Sequence, residues 1–198
     1  VIAGLLLAAG RSSRFGGDKL LAPLRGRPVL FWSAAAIVME VDALYVVVPP
    51  DSPARGEALT GGGMPVTLVE HGGRDDGMAS SIRAGIAALP DDVGAVVLAL
   101  ADQPLVSPLV VRALCDRWRT APTSAVVPRY RDGHGHPVLF DRGCFAALRE
   151  LEGDRGARAL LERLGDRRAL VDVDAAMPVD VDTPDALHAL AAVWRDES

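Results

Sequence analysis

Only two of the 198 residues are cysteine, and Cys115 and Cys144 stand 29 positions apart inside apolar stretches. That spacing offers neither a CxxC metal site nor a disulfide framework, so two reduced, buried thiols in a cytoplasmic protein are expected. Positive charge is also short: 21 Lys and Arg face 26 Asp and Glu, for a net charge of −5. A general nucleic-acid binder needs a basic footprint, and nine aromatic residues leave little for base stacking. Apolar runs break early, Ile2 to Gly10 at Arg11 and Val93 to Ala101 at Asp102, well below the ~20 residues that span a membrane. No basic n-region precedes the first apolar run, so a signal peptide is not expected, and the missing Met suggests a trimmed or incomplete terminus. Internal repeats, low-complexity tracts and linker-like composition shifts are absent too.

What is there is an alternation. Short runs rich in Val, Ile and Leu predict strands at Ile2 to Ala8, Ala43 to Val48, Val66 to Val69, Ala95 to Leu100 and Ser124 to Pro128. Between and after them, helical spacing fits Pro28 to Met39, Met78 to Leu89, Pro108 to Arg119, Arg142 to Leu151, Ala157 to Leu164 and Pro184 to Trp194. Pro28, Pro108 and Pro184 stand where a first helical turn begins, which tolerates a missing N–H. Strands this continuously apolar are covered on both faces, so the expected fold class is α/β, with helices around a mostly parallel sheet. The length suits one domain, in two parts over about 1–105 and about 106–198. Residues 49–65 read as a surface loop or frayed helix. Arg131 to Gly135 read as a turn before a short strand, His136 to Phe140, in a lid or substrate-facing subregion.

Three places carry chemistry. After the first strand comes Gly10-Arg11-Ser12-Ser13-Arg14-Phe15-Gly16-Gly17-Asp18-Lys19. A glycine-rich turn at the carboxyl end of a parallel strand can aim backbone N–H groups at one anion, and Arg14 and Lys19 add compensating charge for a polyphosphate. The run is not a P-loop, because Leu20 follows Lys19, and it is not GxGxxG. Asp102 ends the run Val96 to Leu100, where a carboxylate points into the ligand crevice and suits Mg²⁺; its bland alternative is a turn cap before Pro104. Asp180-Val181-Asp182-Thr183-Pro184 supplies two further carboxylates, or simply an N-cap with proline in the first turn. The pair His134 and His136 could bind a metal or merely sit on a hairpin, and Gly156 between Arg155 and Arg158 makes a second anion site or a solvated charge cluster.

The run Leu7 to Leu30, LAAGRSSRFGGDKLLAPLRGRPVL, resembles the N-terminal signature of nucleotidyltransferases with the glycosyltransferase-A-like, Rossmann-like three-layer fold. The resemblance extends from Leu5 to Leu187, and the GHPVLF and GDRGAR strings are similar to one branch in particular, the molybdenum cofactor cytidylyltransferases. It implies a nucleotide site made by Ala8, Ala9, Gly10, Arg11, Ser12, Ser13 and Gly16, with Gly73 and Ser81 reading the base. By the same likeness Arg14, Lys19 and Asp102 are catalytic, Asp102 and Asp182 hold Mg²⁺ with Asp180 as the second choice, and His136, Arg155 and Arg158 face the acceptor. The implied reaction moves CMP from CTP to molybdopterin-type cofactor, which then passes to a recipient molybdoenzyme. Ala9 carries the base choice, since guanylyltransferases for the same cofactor typically show LAGG where this chain has LAAG. The alternatives are sugar-phosphate or isoprenoid cytidylyltransferases, which share the loop and the Asp, and a non-catalytic cofactor-binding accessory protein.

Overall fold

A computed structural model describes residues 1–10, 12, 14–72, 77–153 and 156–194. Strand β1 (Ile2–Leu7) is buried along its whole length, because its side chains alternate between two apolar layers. Leu6 joins a cluster with Leu30, Ile37, Val46, Val97 and Leu114, while its neighbour Leu5 joins the opposite one with Ile82, Ile86, Leu98 and Phe140. Helices α1 (Val29–Val38), α2 (Pro53–Thr60), α4 (Pro108–Thr120) and α7 (Pro184–Val193) contribute to the first layer. Helices α3 (Gly77–Ala88), α5 (Phe145–Arg149) and α6 (Arg158–Leu164) contribute to the second. The result is the expected three-layer α/β sandwich.

The remaining strands are β2 (Pro23–Leu24), β3 (Arg27–Pro28), β4 (Ala43–Val48), β5 (Val66–Glu70), β6 (Ala95–Leu100), β7 (Ala125–Tyr130), β8 (Gly133–His134), β9 (Val138–Asp141) and β10 (Arg168–Asp172). Eight strands form the main sheet in the order β10-β7-β9-β6-β1-β4-β5, with β8 pairing β7, while β2 and β3 make a small separate ribbon. β1 pairs in parallel with β4 and β6, β4 with β5, and β10 with β7. β9 runs antiparallel between β6 and β7. Strands from before and after residue 105 therefore share one sheet.

Close approach of α3 to β1 is possible because Gly85 has no Cβ; one built there collides with the Leu5 side chain. Pro108 and Pro184 open their helices as expected, but Pro28 is the residue before α1 rather than within it. The region read as a loop or frayed helix contains α2, which starts at Pro53 and stops where three glycines follow Thr60. The helix expected over Arg142 to Leu151 is split. Asp141 accepts a hydrogen bond from the Gly143 amide and winds residues 142–144 into a 3-10 turn before α5. β10 was not predicted, because its Arg168–Asp172 run is short, half exposed and bounded by charge. Cys115 and Cys144 are buried and unpaired, and burial pushes the Cys115 thiol up to about 11. Trp118 and Trp194 are partly buried against the core. Among the described residues no helix is long and apolar enough to cross a membrane.

Candidate active site

The register sets the geometry. Leu7 of β1 lies beside Leu100 of β6, and the pairing continues one residue beyond, with the Ala101 amide donating to the Leu7 carbonyl at 3.1 Å. The glycine-rich loop and Asp102 thus leave adjacent parallel strands at the same carboxyl edge, the place where α/β sheets bind ligands. Had they emerged on opposite edges, no shared phosphate site would be possible.

Ser12 organises the loop, its carbonyl accepting from the Phe15 amide at 3.0 Å and its hydroxyl from the Lys19 amide at 3.0 Å. Gly16 takes a left-handed turn, φ 78°, which an L side chain resists. The Lys19 side chain then crosses to the sheet edge, where its Nζ donates to Asp102 Oδ2 and to Asp182 Oδ1, both at 2.7 Å. Arg14 lies 3.8 Å from the other oxygen of Asp182. Asp182 arrives there because the Val181 amide donates to the Asp102 carbonyl at 2.8 Å, strapping the Asp180 to Asp182 segment onto the end of β6.

The two carboxylates after Val179 therefore separate. Asp180 accepts from Gln103 Nε2 at 2.7 Å, and burial raises its carboxyl above the ordinary value. The hydrogen bond from Lys19 lowers Asp182 below it. Capping does not occupy either, since the Thr183 hydroxyl accepts from the Ala186 amide at the start of α7. Nor does Asp102 spend its carboxylate on the turn before Pro104; its side chain is 22% exposed and directed at Lys19. Asp102 and Asp182 converge on a single positively charged atom, and hard oxygen donors so placed fit a Mg²⁺- or Mn²⁺-sized cation completed by phosphate oxygens. Among the described residues no group of three or more His, Cys, Asp and Glu is placed to hold a metal, so the two-histidine transition-metal alternative has no third ligand.

A cavity of about 410 Å³ has a lining separate from Lys19, Asp102 and Asp182. His134, Gly135 and His136 line one side, Arg158 and Arg168 another, and Met78 lies among the apolar lining residues. The two segments singled out as acceptor-facing thus meet across one cavity. His136 links it to the carboxylates. Its Nδ1 lies 3.4 Å from the Leu98 carbonyl, and burial keeps the imidazole below its ordinary 6.5, against the pull of that carbonyl, Asp180 and Asp102.

Ala8 and Ala9 are both buried, on opposite layers, and Ala9 shares its cluster with Ala79 and Ile82 of α3. Ser81 is buried in the same helix, 7% exposed, and Gly10 is exposed with open space around it. Arg11, Ser13, Gly73 and Arg155 lie outside the described residues. Three participants were missed by sequence reasoning: Gln103, Asp18 and Arg55. Gln103 directly follows Asp102, a signal that was available. Arg55 was hidden because its segment read as a surface loop or frayed helix, where an arginine passes for a solvated charge.

Residues 4–169 match the MobA-like NTP transferase domain. The purine catabolism protein PucB of Bacillus subtilis is 31% identical over 196 residues, 92% of each chain. A 2-C-methyl-D-erythritol 4-phosphate cytidylyltransferase of Cereibacter sphaeroides is 37% identical over 62% of this chain and 56% of its own length. A probable molybdenum cofactor guanylyltransferase of Thermococcus kodakarensis is 29% identical over 68% of this chain and 63% of its own. Among solved structures, Rv0371c of Mycobacterium tuberculosis superposes with a TM-score of 0.84 at 34% identity, covering 98% of this chain and 99% of that one. The same protein has been solved with manganese. With the domain match spanning most of its length, this chain belongs to the MobA-like NTP transferase family and is a nucleotidyltransferase.

Proposed function

We propose that the chain is a Mg²⁺-dependent cytidylyltransferase that moves CMP from CTP to the terminal phosphate of a molybdopterin-type cofactor in the cytoplasm. The observation that carries this reading is the convergence of Lys19, Asp102 and Asp182 at the carboxyl edge of the sheet, within electrostatic reach of His136, which with Arg158 lines the cavity. An acceptor phosphate oxygen attacks the α-phosphorus of CTP. The new O–P bond forms as the bond from that phosphorus to the β-phosphate oxygen breaks, and pyrophosphate leaves with the electron pair. A divalent cation held by Asp102 and Asp182 supplies charge neutralisation to the phosphoryl oxygens. Lys19, Arg14 and the loop amides bind the departing pyrophosphate, and positioning does most of the remaining work. An ionised phosphate needs no general base.

Support for CTP comes from Ala9 in the LAAG run and from the cytidylyltransferase relative; support for a cofactor acceptor comes from the guanylyltransferase relative and from Arg158, paired with Glu162 at 3.1 Å, and Arg168 in the cavity lining. The manganese complex of the mycobacterial protein supports a divalent ion in the family. Pyrophosphate release measured with CTP, GTP and ATP, each with and without isolated cofactor, tests the reading. The expected result is CTP-selective, acceptor-dependent release. Preference for GTP overturns the base assignment, and tight binding without release points to an accessory protein.

The cavity gives a separate prediction. Replacing Arg158 with Ala should raise the acceptor KM about tenfold or more while leaving the CTP KM within about twofold, as befits loss of a charge-assisted contact worth ~1.5–3 kcal/mol. An unchanged acceptor KM removes Arg158 from the acceptor site.

A further inference from the structure

We propose that Arg55 is a positioning residue that grips both ends of the glycine-rich loop and thereby sets the affinity of the enzyme for the nucleotide's phosphates. The inference rests on the reading above for the identity of the nucleotide, but not for the clamp itself. Arg55 projects from α2 and is 4% exposed. Its Nε and Nη2 donate to the two oxygens of Asp18 at 2.7 and 3.0 Å, the two-pronged pairing that only a planar guanidinium makes. Its Nη1 donates to the Ala8 carbonyl and, at 3.1 Å, to the Gly10 carbonyl. One side chain therefore ties the residues where the loop begins to the residue where it ends.

Several consequences follow from that ring closure. In a trans peptide the N–H points away from its carbonyl, so a carbonyl of Ala8 held by Arg55 turns the Ala9 amide away from α2. Asp18 is also fixed on its other side, accepting from the Leu20 amide at 3.1 Å and from the Ser52 hydroxyl at 3.4 Å. Between those two anchors stands Lys19, the residue that reaches Asp102 and Asp182. The grip on Asp18 is thus a grip on the backbone of Lys19. A loop left untied must lose conformational freedom each time it closes on a phosphate, and pre-ordering removes that cost from binding.

A guanidinium that merely fastened α2 to the sheet would matter for stability alone. Arg55→Lys keeps the charge but cannot serve four acceptors, and Asp18→Asn keeps the shape but weakens the pairing. For Arg55→Lys the expected result is a CTP KM raised roughly 10- to 100-fold with the acceptor KM within about twofold. Hydrogen exchange should accelerate in peptides covering 8–19 while those covering α2 and β6 keep their protection. The Arg55→Lys, Asp18→Asn double variant should be no worse than the more affected single variant, because both remove the same tie. Binding of Mg²⁺ with inorganic tripolyphosphate, followed by calorimetry, provides an arm independent of the base and the acceptor; weaker binding in Arg55→Lys supports the proposal. If CTP proves not to be the substrate, the cytidylyl reading fails while the exchange and tripolyphosphate arms still decide the clamp. Unchanged loop exchange, or protection lost equally from α2 and the loop with KM unaltered, overturns it.

Discussion

Asp102→Asn should lower the rate of pyrophosphate release about 1000-fold and leave the folded molecule intact. The substitution keeps size and shape but removes the charge at the end of β6, so on the proposed mechanism it removes several kcal/mol of phosphoryl stabilisation, at about tenfold in rate for each 1.4 kcal/mol. Stability should change little, because the side chain is partly exposed and the strand behind it is held by backbone pairing to β1 on one side and β9 on the other. Steady-state release measured with Mg²⁺ and with Mn²⁺, beside a thermal melt, checks both halves. Equal release by the Asn protein would sink the metal assignment.

Lys19→Met is expected to cost about 100- to 1000-fold in the same assay, the scale of deleting one pre-oriented charge from a reacting centre. It should also reveal a pH signature. Burial by itself lowers the Lys19 ammonium, but its hydrogen bonds to Asp102 and Asp182 outweigh that and raise it above 10.5, while Asp182 is held below 3.8 by the same contact. A depressed carboxyl contributes stability above its ordinary range and loses it as pH falls through the folded value; a raised ammonium contributes below its ordinary value and loses it as pH climbs through the folded one. The stability gap between wild type and Lys19→Met should therefore be flat between 3.8 and 10.5 and close at both ends. Its plateau should be about 1–3 kcal/mol, below the ~3–5 kcal/mol for breaking a fully buried pair, because Asp182 is 46% exposed and water screens it. Denaturant titrations across that range measure it.

The parts of the site written in contiguous residues were legible beforehand. Glycines and cations directly after a buried strand, and a carboxylate directly after another, need only the rule that parallel strands present their carboxyl ends to ligands. The choice between Asp182 and Asp180 was harder, since alternation places both on one face of an extended segment. The folded chain separates them, giving the cap to the Thr183 hydroxyl, Asp180 to Gln103 and Asp182 to Lys19. Arg55 was invisible for a different reason. An arginine in a helix of low hydropathy reads as solvated, and only the folded chain shows that its partners are 37 and 47 positions away. β10 escaped because edge strands need not be apolar; among the described residues it has β7 on one side and no neighbour on the other.

The antiparallel placement of β9 constrains how the enzyme can turn over. Its ladder to β6 joins the strand that leads from His136 directly to the strand that leads to Asp102. On the proposed reading, donor and acceptor compartments hang from neighbouring strands of one hydrogen-bonded sheet, and the interval that an attacking oxygen must cross is built in during folding. Any adjustment around bound substrates would then fall to the connections beyond the strand ends.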